Sequence, residues 1–159
     1  MIKPRYEDWI ATKHILRYLK GTVGYGLRYT LENGLKLQGY TDSDWVGSAV
    51  ERKSTSGCCF NIGSTMISWM SRKQTFVALS TTEAEYIAAN TASREAVWLR
   101  KLLADIFEQE LETTVIHCHN QSSIKLSENP VFHDRSKHIE IKYHFIRDVV
   151  QRGVEFSYV

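Results

Sequence analysis

The spacing of apolar positions along the chain changes several times, and each change marks an element. Residues 6–20, "YEDWIATKHILRYLK", place Trp9, Thr12, Leu16 and Leu19 near one helical face, and Gly21 follows as a C-cap. The "LENGL" stretch sets Asn33-Gly34 between strand-like segments, a strong hairpin signal. "LKLQGYTD" then alternates as a strand and ends on acidic residues. Residues 46–57, "VGSAVERKSTSG", read as a polar loop, and "CCFNIGSTMISWMS" as two strands joined at Gly63-Ser64. "SRKQTFVALS" is a connection carrying Arg72 and Lys73.

The longest periodic segment follows, "STTEAEYIAANTASREAVWLRKLLADIF". Ser80 and Glu83 have capping-box spacing at its start. Ala84, Ile87, Ala88, Thr91, Val97, Leu99 and Leu102 supply much of its small or apolar surface. "TTVIHC" is a short strand, "NQSSIKLSE" a short helix or turn, "KHIEIKYHFIRDVVQRG" an amphipathic helix ending at Gly153, and "VEFSYV" a last strand. Three antiparallel strands followed by helix-linked ones imply an α/β fold: a mixed sheet with helices packed on its faces.

Composition narrows the class. At 159 residues the chain fits one domain with a proper core. The apolar fraction of 43% and charged fraction of 24% are ordinary for a globular domain, and no low-complexity tract points to disorder. No apolar run is long enough to span a membrane, and "MIKPRYEDW" lacks the apolar stretch of a signal peptide, so an intracellular setting, cytoplasm or nucleus, is expected. The net charge of +2 does not by itself argue for nucleic-acid binding, which needs clustered charge. Three cysteines, Cys58, Cys59 and Cys118, make a poor disulfide framework and lack zinc-site spacing, and read as small buried thiols.

Two acidic clusters carry possible chemistry. Asp42 and Asp44 close a predicted strand, and Glu83 and Glu85 open the long helix. Carboxylates converging at one sheet edge suit a pair of Mg²⁺ ions, which need oxygen ligands and sit roughly 3.5–4 Å apart in phosphoryl-transfer sites. Helix capping by Glu83 and turn formation by Asp compete as explanations. A polar residue also stands at the end of the "VIHC" strand: His119, flanked by Cys118 and Asn120.

The motifs "GYTDSDWVGS", "RKSTSGCCFNIG", "ISWMSRKQTFVALSTTEAEYIAA", "CHNQSSIKLSENPVFHDRSKHIEIKYHFIRD" and "GVEFSYV" closely resemble the ribonuclease H domain of copia-type retrotransposon polyproteins. The resemblance covers about residues 36–159, taken as a ribonuclease H-like domain over 31–159. Residues 1–30, with "ILRYLKGTVGYGLRY", look like a helical connection segment from the reverse-transcriptase side. It implies a five-stranded mixed sheet flanked by helices, and cleavage of the RNA strand of RNA/DNA hybrids by Mg²⁺ (or Mn²⁺) ions on four acidic residues. Matched one by one, Asp42 in "YTD" is the first and Glu85 in "TEAEY" the second, leaving Glu83 as the cap and Asp44 as a neighbour.

This sequence departs from the family pattern in two places. The third acidic residue belongs to a "C-D-N-Q-S" pattern that here reads "CHNQS", so His119 holds its position. The fourth belongs to a helix after the last strand, and the sequence ends at Val159 before it; that final helix is expected to be missing. Neutral His119 removes a negative charge and offers a nitrogen that suits Zn²⁺, Mn²⁺ or Ni²⁺ better than Mg²⁺. The expectation is a weak or inactive copy that acts by binding nucleic acid or a protein, the alternatives being an active nuclease and a pure protein-interaction module. Asp134 and Glu140 are possible substitutes but are better explained as loop and helix-start charges, and His133, His138 and His144 lack metal spacing. Arg52, Lys53, Ser54, Thr55, Ser56, Arg72, Lys73, Asn120 and Gln121 are the residues expected to contact nucleic-acid phosphates, as related domains do.

Overall fold

A computed structural model of the chain describes residues 3–29, 35–47, 51–128, 145–146 and 148–159, residues 126–128 by backbone alone. The elements are α1 (Tyr6–Gly21), β1 (Leu37–Asp44), β2 (Thr55–Ile62), β3 (Thr65–Lys73), α2 (Thr81–Phe107), β4 (Thr114–Cys118), α3 (Gln121–Glu128) and β5 (Val154–Tyr158). Residues 145–146 and 148–151 are also helical and end in a turn at Gly153, whose φ of 87° needs glycine. No helix of the described residues is long and apolar enough to cross a membrane.

The strands form one sheet in the order β3-β2-β1-β4-β5. The β3/β2 and β2/β1 pairs are antiparallel, while β1/β4 and β4/β5 are parallel. The parallel pairs arise because helical segments follow β3 and β4, so that β4 and β5 each run in the direction of β1. The expected mixed sheet is therefore present, with β1 at its centre.

Three boundaries differ from the sequence reading. The polar stretch 46–57 gives its last residues to β2, which starts at Thr55. Arg72 and Lys73 lie inside β3 rather than in the connection, paired with Ser56 and Thr55. The hairpin ladder runs on past the last apolar residue because backbone hydrogen bonds do not depend on side-chain polarity. Residues 26–29, expected to be strand-like, form no regular element, although Thr65 donates a 2.6 Å hydrogen bond to the Arg28 carbonyl. The Asn33-Gly34 turn lies outside the described residues. The Gly63-Ser64 turn and the α2 start agree with the reading.

One face of the sheet is closed by α2. Ala92, Ala96, Leu99 and Leu103 meet Leu37, Cys58, Phe60, Ile116 and Val154 in a single buried cluster. The alanines keep the helix surface low, so the sheet side supplies the bulk. Leu102, one of the residues that supply the apolar surface of this helix, is exposed, while Leu103 is buried. Ala84, Ala88 and Leu99 of the expected surface are buried, and because successive helical residues stand about 100° apart, Leu103 points inward where Leu102 does not.

The opposite face carries the laterally paired Tyr40, Cys59, Trp69 and His117, with Trp69 71% exposed and Tyr40 stacked on His117 at 4.9 Å. Helix α1 buries none of its residues, so the apolar face of Trp9, Leu16 and Leu19 stays exposed.

Phe60 is fully buried, and Gly39 lies across the ladder from it. A Cβ on Gly39 would stand 2.5 Å from the Phe60 ring. Gly39→Ala is expected to cost about 1–3 kcal/mol through overpacking, measured by urea denaturation. Combined with Phe60→Leu, which opens space there, the two losses should sum to clearly more than the double variant shows. Strict additivity would contradict this account of the contact.

Candidate metal and nucleic-acid site

The acidic residues meet where the C-terminal end of β1 passes the first turns of α2. Hydrogen bonds fix the residues on either side of the meeting point. Ser80, the N-cap of α2, accepts a 3.1 Å hydrogen bond from the Glu83 N–H, while the Glu83 carboxylate accepts one of 2.7 Å from the Leu79 N–H. Glu83 is thereby spent on the cap, as its spacing suggested. Asp44 accepts a hydrogen bond from the Thr55 N–H and lies against Gly47, so it closes the β1–β2 end of the sheet.

Glu85 and Asp42 are left facing one another. Glu85 is buried, 7% exposed, and Asp42 is exposed. Burial comes first among the causes that push the Glu85 carboxyl up to about 7. The neighbouring Asp42 charge and a hydrogen bond to Asp42 push in the same direction, while the Ser43 backbone N–H and the nearby His119 oppose it. Two carboxyls within hydrogen-bond reach in a poorly solvated setting share a proton, or they bind a cation in its place. Cys118 also belongs to this wall: its thiol lies 3.9 Å from Glu85 and 3.4 Å from the Ser123 hydroxyl.

His119 is exposed at the end of β4, close enough to Glu85 to stabilise its charged form. It lines a cleft of about 250 Å³ together with Tyr40, Asp42, Cys59, Met70 and His117. Among the described residues, no group of three or more His, Cys, Asp or Glu is arranged to hold a metal ion. The donor chemistry of Asp42 and Glu85 fits one hard divalent cation that completes its shell with water or phosphate oxygens. It does not fit a second such cation. Asp134, Glu140, His133, His138 and His144 lie outside the described residues.

The residues expected to contact phosphates divide into two groups. Ser54 and Ser56 are buried, the Ser54 hydroxyl accepting from Val46 N–H at 3.2 Å and Ser56 from Gln74 at 2.8 Å. Their hydroxyls face into the fold and frame the strand ends. Asn120 caps α3, its side-chain oxygen accepting from Ser123 N–H at 2.9 Å. Arg52, Arg72, Lys73 and Gln121 are exposed, with Lys53 and Thr55 half-buried. Lys73 pairs with Glu51 at 3.1 Å.

Sequence reading missed Trp45, Phe76, Val77 and Leu79, which are all exposed; Trp45 donates to the Ala78 carbonyl at 3.3 Å and ties the two loops together. No periodic signal announces them, because they sit in connections. The three thiols are free, Cys58 and Cys118 buried and Cys59 half-buried, as expected of small packing residues.

A mixed sheet in the order β3-β2-β1-β4-β5, with an acidic pair at the end of its central strand, defines a ribonuclease H-like domain. LC11-RNase H1 in complex with RNA/DNA hybrid has the same fold, with a TM-score of 0.57 at 12% identity, covering 78% of this chain and 85% of that one. No protein-family signature matches the chain. It is 46% identical over 147 residues, 92% of its length, to the retrovirus-related Pol polyprotein from transposon TNT 1-94 of Nicotiana tabacum. It is 42% identical over 153 residues, 96% of its length, to that from transposon RE2 of Arabidopsis thaliana. The chain belongs to the copia-type retrotransposon ribonuclease H domains. It spans only 11% and 10% of those two polyproteins.

The raised Glu85 pKa has a sign that can be tested. The folded state holds the proton more tightly than the unfolded one, so stability falls as pH rises from about 4.5 to about 7 and stays low above. In metal-free protein the loss should be on the order of 2–3 kcal/mol, read from urea midpoints between pH 5 and 8. Glu85→Gln should flatten that profile. An equally steep profile in the variant would remove Glu85 as its source.

Proposed function

We propose that this chain is a nucleic-acid-binding ribonuclease H-like domain whose Asp42–Glu85 pair holds a single Mg²⁺ or Mn²⁺ ion and whose cleavage activity is weak or absent. The observation that carries the reading is the buried Glu85 carboxyl set against Asp42, with His119 standing at the end of the neighbouring strand. A bound cation would offset the repulsion between the two carboxylates and orient phosphate oxygens of a substrate. In-line displacement by the two-metal route needs carboxylates on both sides of the scissile phosphate to balance about four positive charges. His119 supplies none and prefers softer cations.

Binding draws on a different part of the molecule. In this reading Arg52, Lys53, Arg72, Lys73 and Gln121 contact phosphates, with Asn120 and Thr55 as further polar candidates. The neighbouring Trp45 and Phe76 add apolar surface for sugars. The related enzyme solved with an RNA/DNA hybrid supports that hybrid as the substrate class. Ser54 and Ser56 serve here as framing residues, and residues 1–30 as the connection to a reverse-transcriptase part.

The test uses a labelled RNA/DNA hybrid in Mg²⁺ and separately in Mn²⁺. The chain should bind the hybrid with an affinity that falls steeply with salt, and cleave it slowly or not at all. His119→Asp should raise metal-dependent cleavage by at least about ten-fold, since each well-placed charge is worth a factor of that order. Arg52→Ala and Arg72→Ala should each weaken binding uniformly across sequences and reduce the salt slope by about one. Robust cleavage by the unchanged chain that vanishes with Asp42→Asn would show a working nuclease instead. No binding at low salt would favour a protein-interaction module that uses an exposed strand edge.

A further inference from the structure

We propose that Gln74 is the positioning residue of the acidic pair, one neutral amide that fixes where Asp42 and Glu85 stand relative to each other. Gln74 lies in the connection between β3 and α2 and is only 6% exposed. Its Nε2 lies 3.2 Å from the Ser43 hydroxyl, 2.8 Å from the Ser56 hydroxyl and 2.9 Å from the Ala84 carbonyl. Its backbone N–H donates to the Ser54 carbonyl at 2.8 Å. Ser43 is the chain neighbour of Asp42, and Ala84 that of Glu85. A single side chain therefore grips the residue next to each carboxylate, and a third point on β2.

Packing alone does not call for glutamine there. The Oε1 atom is buried with no hydrogen-bond partner among the described residues. Such an atom carries a desolvation cost, and a methionine of similar volume would fill the space without it. What methionine lacks is the donor that joins β1, β2 and α2. Charge also restricts the choice. A lysine would neutralise a carboxylate and compete with a cation, and a glutamate would add a third negative charge. A neutral donor holds the frame and leaves the charge of the pair to whatever binds it. The consequence for cation binding rests on the reading of Asp42 and Glu85 as ligands, while the positional claim does not.

Two measurements on Gln74→Met test this. Crystal structures of the unchanged chain and the variant should show the Asp42–Glu85 carboxylate separation altered by at least about 0.5 Å, the tolerance of a working site, with the sheet unmoved. Carboxylates that superpose would overturn the proposal. Mn²⁺ titration followed by electron paramagnetic resonance should show affinity weakened about ten-fold, the scale seen for residues that support metal ligands. In an Asp42→Asn background, Gln74→Met should have no further effect on Mn²⁺.

A merely structural glutamine would lower the melting temperature and leave Mn²⁺ affinity unchanged, and that result also overturns the proposal. If the unchanged chain binds no Mn²⁺, the cation reading falls and the crystallographic comparison alone decides. Should Gln74→Met fail to fold, Ser56→Ala removes one of the three acceptors. It should displace the carboxylates in the same direction by a smaller amount, and no displacement would refute the idea.

Discussion

Two carboxyl groups of like charge stand together at one point of the sheet, one of them buried, and much of the local architecture answers that repulsion. Asp42 arrives on the central strand and Glu85 on the first turns of α2, from segments far apart in the chain. The Ser43 N–H and His119 favour the charged form of Glu85, while burial and Asp42 oppose it. Other acidic groups are kept out of the contest. Glu83 binds the Leu79 N–H and Asp44 the Thr55 N–H, so each is satisfied by backbone donors. Of these four described carboxylates, Asp42 and Glu85 are the ones left facing one another and so available to a cation.

The site owes its rigidity to the packing beneath it. β1 has neighbours on both sides, antiparallel β2 through Asp44 and parallel β4 up to Thr41, the residue before Asp42. The alanine-rich inner face of α2 lies low against the sheet, and Phe60 fills the space left by Gly39. On the far side, Arg100 of α2 donates to the Leu111 carbonyl and the Thr114 hydroxyl and anchors the start of β4. These contacts concentrate on one face of the sheet, while the other displays Tyr40, Trp69 and the stacked His117.

His119 changes what this scaffold can do. A third carboxylate at the end of β4 would add negative charge beside a pair that already repels itself, which is tolerable only with cations bound. An imidazole there eases the charge of Glu85 instead of adding to it. Burial of Ser54 and Ser56 shows how a motif can hold a fold together while resembling a phosphate contact.

Local pattern was enough for much of this. The alternation of "LKLQGYTD", the Gly63-Ser64 turn and the Ser80–Glu83 spacing identify strands, hairpin and helix start because each rests on contacts within a few residues. Family motifs in the sequence singled out Asp42, Glu85 and the odd His119. The sequence did not disclose that Arg72 and Lys73 are strand residues, that Leu103 rather than Leu102 faces the core, or that Gln74 touches both arms of the site. Each of these depends on partners distant in the chain: the length of a ladder, the rotation of a helix against a sheet, and an amide reaching residues on β1, β2 and α2. Side-chain identity determined the elements and the candidate carboxylates. Only tertiary packing decided which carboxylates meet, because meeting requires a buried frame that no short stretch of sequence contains.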